Sequence, residues 1–247
     1  MGNGEFRMKL SPHGESAIRI ELGESIDDDI HRKVHGLRDY IEKHPFLGMI
    51  ECIPAFASVT VLYDPMKVRI LNADHRESNN RSSYEIVVSI IEQMASSFEV
   101  SNHYEPRIME IPVCYGGEFG PDLEDVAAHN KIKPDEVIEI HSSGEYLVYM
   151  IGFAPGFPYL GGMSERISAP RRSSPRQSIP EGSVGIAGIQ TGVYPISTPG
   201  GWQLIGRTPL KLFRPSDNPP SLLQSGDIVK FRSISLQEYE LYKGESQ

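Results

Sequence analysis

The stretches GFAPGFPYLGGM at residues 152–163 and EGSVGIAGIQTGVYPISTPGGW at residues 181–202 decide the fold of the second half of this chain. In both, short β-branched and aromatic runs alternate with glycine and proline, which is typical of short strands joined by tight turns. Short strands are predicted within and around these stretches, at 145–153, 182–189, 202–205, 210–213 and 227–233. Such a series predicts a closed or nearly closed β-barrel. Helices are expected at 123–129, 134–141 and 236–242.

The first half has a different pattern. Alternation at 17–22 predicts a strand, and helical spacing after a cap at Ser25 predicts a helix that ends before Pro45. Two strands follow at 49–54 and 58–63, then a polar loop to about Asn80, a helix from Ser82 with Phe98 on its apolar face, and a strand at 107–114. The order βαββαβ predicts a ferredoxin-like α+β domain. We therefore expect an α+β domain at 1–110 and a mainly β domain at 111–247, and the segment 65–83 receives no function.

Composition limits the classes of partner. The 247 residues carry a formal net charge of -9, without a basic run of the kind that binds a phosphate backbone. No apolar stretch approaches the length of a membrane span. We therefore expect a cytoplasmic protein that binds neither nucleic acid nor membrane.

Few residues have the spacing of a metal or nucleophile site. His31 and His35 are spaced as a helical metal pair, but no third ligand is evident, so no metal is expected. Cys52 and Cys114 are expected to be buried thiols. A nucleophilic Cys114, exposed by the glycines of CYGGE, is the alternative. No catalytic residue can be assigned.

An aromatic cluster in the first deciding stretch is the first candidate site. It comprises Phe153, Phe157, Pro158 and Tyr159, placed among backbone-breaking residues directly after a strand. These side chains either plug the end of the barrel or form an apolar surface for a ligand or a protein partner. The sequence leaves both interpretations open.

A basic cluster follows the aromatic one. Arg171, Arg172 and Arg176 lie in a proline-rich segment of an otherwise acidic protein. They are interpreted either as a fork of guanidinium groups for carboxylate or phosphate, or as a solvated loop. Gln190 and Thr191 add hydrogen-bonding groups. The chain contains neither the GxxxxGK[ST] phosphate loop nor the GxSxG serine elbow, so a conventional nucleotide fold and serine hydrolase chemistry are unsupported.

Long motifs in the chain are similar to those of a known family. They are IECIPAF at 50–56, EIPVCYGGEFGPDL at 110–123, GFAPGFPYLGGM at 152–163, and the segment from APR to GRTPL at 169–210. Over nearly its full length the chain resembles the family of KipI and the B subunit of 5-oxoprolinase, whose C-terminal part is also called an allophanate hydrolase subunit 1 domain. The resemblance implies a ferredoxin-like first domain and a cyclophilin-like β-barrel.

The resemblance also implies two functions. One is a non-autonomous subunit of an ATP-dependent 5-oxoprolinase, which acts with the C and A subunits, uses ATP with Mg²⁺ and has no tightly bound cofactor. The other is inhibition of a sporulation histidine kinase, by binding its phosphotransfer region. Prolyl isomerase activity is a third possibility that rests on the barrel type alone.

The residues suggest how one surface serves either role. In the enzyme, Arg171, Arg172 and Arg176, with Gln190 and Thr191, would stabilise negative charge as the lactam is activated. In the inhibitor, Phe157, Pro158 and Tyr159 would anchor a helix of the kinase. Both hypotheses require these groups to lie along one rigid cleft.

Overall fold

A computed structural model describes residues 8–25, 27–71, 81–97 and 106–245. The chain divides into two compact units, Met1–Glu105 and Pro106–Gln247. Within the described ranges, no helix is both long enough and apolar enough to cross a bilayer.

The described part of the first unit contains four strands and three helices. In chain order they are β1 (Lys9–Pro12), β2 (Ala17–Glu21), α1 (Asp28–Lys43), β3 (Met49–Pro54), β4 (Ser58–Tyr63), α2 (Pro65–Leu71) and α3 (Ser83–Ser97). The strands form an antiparallel sheet in the order β1-β2-β4-β3. Ile18 and Ile20 of β2 are completely buried in one cluster with Val34 and Leu37 of α1. The alternating strand and the amphipathic helix thus share one core.

Local signals in this unit differ from the prediction at two places. Asp27, not Ser25, caps α1, and its carboxylate accepts hydrogen bonds from the backbone N–H groups of Asp29 and Ile30. The first seven residues of the predicted polar loop form α2, where Asp64 accepts from the backbone N–H of Met66. The predicted position of Phe98 and the rest of that loop lie outside the described residues.

The second unit is built around a closed barrel. Its elements are β5 (Ile108–Tyr115), α4 (Leu123–Asn130), α5 (Pro134–Ser143), β6 (Glu145–Ile151), β7 (Pro158–Gly161), β8 (Arg176–Ile179), β9 (Ser183–Ala187), β10 (Gln190–Val193), β11 (Thr198–Gly200), β12 (Gln203–Arg207), β13 (Ile228–Ser233) and α6 (Leu236–Glu245). Seven strands close in the order β10-β7-β6-β13-β5-β12-β9, while β8 and β11 form a separate two-stranded sheet. The predicted closed barrel is confirmed.

The prediction placed the last strand of the βαββαβ order in the first unit, but this strand belongs to the barrel of the second unit. The segment predicted at 107–114 forms β5, which pairs in parallel with β13 from Ile108 opposite Ile228 to Val113 opposite Ser233. The sheet position beside β2 is filled by β1, which reaches it through a local hairpin. Because β5 pairs with a strand about 120 residues later in the chain, the order of the elements alone could not assign β5 to the correct sheet.

Two predicted barrel strands also have different forms. The segment at 182–189 belongs to a hairpin, in which Ala187 pairs with Gln190 around a two-residue turn. Gly188 opens that turn with a φ of +60°, a conformation that glycine adopts readily. The segment at 210–213 is not a regular strand and makes one isolated bridge, from Phe213 to Ser221. It lies between Pro209 and Pro215, and proline interrupts strand pairing.

Candidate functional site: an aromatic cavity in the barrel unit

A cavity of about 160 Å³ gathers five of the nine predicted site residues. Its lining consists of Phe153, Phe157, Tyr159, Arg171, Gln190, Tyr194, Pro199, Gly200, Gly201 and Trp202. The lining residues come from β7 and the turn before it, from the segment between β7 and β8, from β10 and the residue after it, and from β11 and the residues that lead into β12. The site is therefore predominantly apolar, with one guanidinium and one amide among its polar groups.

Phe157 is the centre of the aromatic wall. Its ring makes edge contacts with those of Phe153, Tyr159, Tyr194 and Trp202, at centroid distances of 5.4–5.8 Å. Edge-to-face pairs of this kind stabilise a fixed mutual orientation. The wall is thus a rigid arrangement of rings.

Trp202 and Tyr194 have a double role. Trp202 is 9% exposed, and it lines the cavity while it packs in a small core cluster. Burial raises the pKa of Tyr194, which keeps its hydroxyl neutral at physiological pH. The glycines shortly before Tyr194 and Trp202 are a local sequence signal for both positions.

Phe153 stands at the mouth of the cavity in a strained conformation. Its φ is +65°, and the N–H of Ala154 donates to the carbonyl of Gly152 at 2.7 Å, which closes a three-residue turn around it. Such a γ-turn is rare for a residue with a side chain. The ring is 72% exposed, so burial does not account for the strain. An exposed aromatic held against a backbone cost is a candidate binding group.

The predicted apolar surface is only partly accessible. Phe157 is 3% exposed, Pro158 is buried and does not line the cavity, and Tyr159 is partly buried. Phe157 packs with Trp202 and Tyr194 in a small core cluster. Phe157 and Pro158 are therefore buried packing residues, while Phe153 alone of the four is widely exposed.

Two of the three predicted arginines are held by Asp122, which stands at the N-cap position of α4. Asp122 is 2% exposed. Its carboxylate accepts from Arg172 Nη1 at 2.7 Å, from Arg176 Nη1 and Nη2 at 2.8 Å each, and from the backbone N–H of Leu204 at 2.7 Å. Arg172 and Arg176 are thus engaged within the chain, and neither lines the cavity.

Thr191 belongs to a buried chain of hydrogen bonds inside the barrel. Its hydroxyl donates to the carbonyl of Gly185 at 3.1 Å and accepts from Nε2 of His141 at 2.9 Å. The hydroxyl of Tyr115 donates to Nδ1 of the same imidazole at 2.7 Å. This pattern assigns His141 the neutral Nε2–H tautomer. Thr191 is 1% exposed and lies outside the lining of the cavity.

Burial keeps this chain of groups uncharged. Desolvation lowers the pKa of His141 from 6.5 to about 3 and raises the pKa of Tyr115 well above its usual value. The imidazole also stacks on Phe231 with a centroid distance of 4.5 Å. These groups are placed to hold the barrel interior together, because they are satisfied by one another and removed from water.

The thiol alternative has no support at Cys114. Both Cys52 and Cys114 are free and buried, as predicted. Burial, followed by the nearby charge of Glu118, raises the pKa of Cys114, so the nucleophilic thiolate is disfavoured at neutral pH.

Known proteins share both the sequence and the fold. The chain is 59% identical to the B subunit of 5-oxoprolinase from Bacillus subtilis (strain 168), over 97% of this chain and 98% of that one. A crystal structure of a conserved uncharacterized protein from Pyrococcus horikoshii shares 45% identity and a TM-score of 0.54, covering 94% of this chain and 100% of that chain. The urea carboxylase of Kluyveromyces lactis shares the fold at 20% identity and a TM-score of 0.67, covering 95% of this chain and 22% of that chain.

A family model agrees with these relatives. The model for the carboxyltransferase domain, subdomain C and D, matches residues 8–223. Together with the identity to the B subunit of 5-oxoprolinase over nearly the full length of both chains, this match fixes the family. The chain belongs to the carboxyltransferase domain family of subdomains C and D, and within it to the group of 5-oxoprolinase B subunits that its motifs resemble.

Proposed function

We propose that this chain is the B subunit of an ATP-dependent 5-oxoprolinase, which opens the lactam ring of 5-oxoproline with water to give glutamate. The 59% identity to a protein of that name, over nearly the whole of both chains, is the observation that carries the proposal. The chain acts in a complex with the C and A subunits, in the cytoplasm. We assign its barrel to the cyclophilin-like type and its first unit to a variant of the ferredoxin-like type, in which β1 takes the sheet position expected for the last strand.

The aromatic cavity complements the substrate of that reaction. 5-Oxoproline carries an apolar ring edge, a lactam amide and a carboxylate. The cavity offers the rings of Phe157 and Trp202, the amide of Gln190 and the guanidinium of Arg171. A few convergent polar groups in an apolar lining are typical of small-molecule sites. We place the substrate there.

The three arginines have different roles in this proposal: two are structural and one binds the substrate. Arg172 and Arg176 are ion-paired to Asp122, so their contribution is to hold the segment that carries Arg171. Thr191 supports the barrel interior through His141. Arg171 and Gln190 are the predicted donors that remain for the substrate.

ATP is too large for the aromatic cavity. Its volume of about 160 Å³ is below the roughly 300–1,000 Å³ typical of pockets for larger ligands. The described residues contain no cluster of three or more His, Cys, Asp or Glu side chains that could hold a metal. We therefore assign ATP binding to the assembled complex and not to this cavity.

The inhibitor function has weaker support. It needs accessible apolar anchors for a kinase helix, but Phe157 and Pro158 are buried and Tyr159 is partly buried. Phe153, which was not among the three predicted anchors, offers the exposed aromatic side chain that such docking requires. Titration of a purified sporulation kinase domain with this chain tests the function, and an absence of association at micromolar concentration would exclude it.

Reconstitution tests the enzymatic proposal directly. The chain is mixed with the A and C subunits of the same source, and 5-oxoproline-dependent ATP hydrolysis and glutamate release are measured together. We expect both activities in the three-subunit mixture and neither when this chain is omitted. Equal activity without this chain would contradict the proposal.

A further inference from the structure

Four arginines lie between residues 166 and 176, and they differ in their partners. Arg166 forms an ion pair with Glu136 at 2.5 Å. Arg172 and Arg176 share the carboxylate of Asp122. In the part of the chain that the structure describes, Arg171 has neither a hydrogen bond nor an ion pair, and its side chain is exposed at the cavity. One guanidinium of the four is therefore available to a ligand.

The Asp122 carboxylate cannot satisfy Arg171 as well. A carboxylate has about four lone-pair positions. At Asp122, four donors from Arg172, Arg176 and the backbone of Leu204 occupy them. Among the described residues, the charge of Arg171 thus stays unpaired beside an apolar wall, where an anion would gain a strong charge-assisted interaction.

The same network fixes the position of Arg171. The backbone N–H of Arg172 donates to the carbonyl of Gly201 at 2.8 Å. This bond joins the residue after Arg171 to the residue before Trp202, and both Arg171 and Trp202 line the cavity. The guanidinium therefore projects from a segment anchored to the aromatic wall, which lowers the conformational entropy lost when a ligand binds.

We propose that Arg171 is the specificity-determining residue of the cavity, and that it binds the carboxylate of a small cyclic amide acid while the rings hold the lactam. This inference rests on the proposed function. It assigns Arg171 a role distinct from those of Arg172 and Arg176, and it predicts that the site selects acids over neutral lactams of the same shape.

The test compares two arginines in the reconstituted complex. Arg171→Gln removes the proposed carboxylate partner, whereas Arg166→Gln removes an exposed arginine outside the cavity and is the matched control. Co-purification with the A and C subunits verifies that each variant assembles. KM and kcat are measured with 5-oxoproline and with its neutral carboxamide, 5-oxoprolinamide.

For Arg171→Gln we expect KM for 5-oxoproline to rise roughly 10- to 100-fold, the range for losing a hydrogen bond to a charged group. The KM for ATP should stay within about twofold, and the preference for the acid over the carboxamide should fall by a similar roughly 10- to 100-fold factor. Arg171→Lys should recover part of that preference, because it restores the charge without the planar fork.

The other possible results would overturn either the role of Arg171 or the proposed function. A KM for Arg171→Gln equal to that of Arg166→Gln, or a wild-type complex that does not prefer the acid, would overturn the inference and leave the proposed function intact. An equal loss with acid and carboxamide would also overturn it, since the role would then not concern the carboxylate. A wild-type complex without 5-oxoproline-dependent activity would reject the proposed function, and the inference with it.

Discussion

Asp122 and Arg176 form a bidentate ion pair, in which Nη1 and Nη2 of the guanidinium each donate to a different carboxylate oxygen at 2.8 Å. The residues are 54 positions apart in the chain. Asp122 stands at the N-cap position of α4, but its side chain makes no capping hydrogen bond. Its carboxylate instead joins the start of α4 to the arginine segment and, through Leu204, to β12.

The stability of the barrel unit should depend strongly on this carboxylate. Asp122→Ala would leave two guanidinium groups, 32% and 24% exposed, without their buried partner. We expect the free energy of unfolding to fall by roughly 3 kcal/mol, the low end for removing one partner of a buried pair, because both arginines retain some contact with water. Urea unfolding followed by the fluorescence of Trp202, the single tryptophan, measures it.

Glu136→Ala is the matched control for that measurement. It breaks the exposed pair with Arg166, in which the side chains of Arg166 and Glu136 are 65% and 40% accessible, and exposed pairs contribute about 1 kcal/mol or less. If Asp122→Ala were no more destabilising than Glu136→Ala, the Asp122 cluster would not hold this unit together.

The buried His141 should make the barrel unit sensitive to acid. Burial lowers the folded-state pKa of His141 to about 3 from 6.5. As the pH falls below 6.5, His141 is protonated in the unfolded chain but stays neutral in the folded barrel. The free energy of unfolding therefore decreases by up to about 1.4 kcal/mol per pH unit, until the pH reaches the folded-state pKa. Above pH 6.5 this contribution is fully present.

His141→Gln tests that dependence by removing the titrating group. Between pH 7 and pH 5 the wild-type free energy of unfolding should fall by about 2 kcal/mol more than that of the variant. The comparison uses the change with pH, so a uniform destabilisation by glutamine does not affect it. Equal changes in the two proteins would rule out a buried neutral imidazole.

Because Phe153 has a positive φ, we expect glycine to be more stable than alanine at this position, the reverse of the usual order. At most positions Gly is less stable than Ala, but at a φ of +65° the Cβ of alanine is strained. We expect Phe153→Gly to be more stable than Phe153→Ala by about 1 kcal/mol. Both variants lose the same ring, so the comparison isolates the backbone. Urea unfolding monitored by Trp202 gives the values.

The exposed Glu139 of α5 supplies the control for this order. In the interior of a helix, alanine is more stabilising than glycine by about 1 kcal/mol. We therefore expect a higher free energy of unfolding for Glu139→Ala than for Glu139→Gly. The same order at position 153 would show that the turn around Phe153 carries no strain.

The local sequence predicted those features that depend on near neighbours. The glycines and prolines around residues 152–202 indicated short strands and turns, and the alternation at Ile18 and Ile20 indicated a half-buried strand, because both patterns reflect periodic burial. The closed barrel followed from them. Phe157 and Arg171 were also placed in one site, since aromatic and basic clusters in turn-rich segments stand out from the surrounding residues.

Long-range partners were beyond the reach of the same reasoning. Nothing near Arg172 or Arg176 indicates that both bind Asp122, 50 and 54 residues earlier in the chain. The arginines therefore looked equivalent in sequence, although the fold leaves only Arg171 at the cavity without a partner among the described residues. Thr191 was misleading for a related reason: a polar residue in a glycine-rich strand also serves to satisfy a buried imidazole such as His141.

The placement of the lactam in the aromatic cavity can be checked at Gln190, because its amide is a neutral cavity group suited to an amide ligand. The measurement is KM for 5-oxoproline in the reconstituted complex with Gln190→Ala, compared with Gln177→Ala, which removes an exposed glutamine of β8 outside the cavity. We predict a rise of about tenfold for Gln190→Ala, as expected for one lost hydrogen bond, and less than about twofold for Gln177→Ala. An unchanged KM in the Gln190→Ala complex would contradict the placement of the substrate in this cavity.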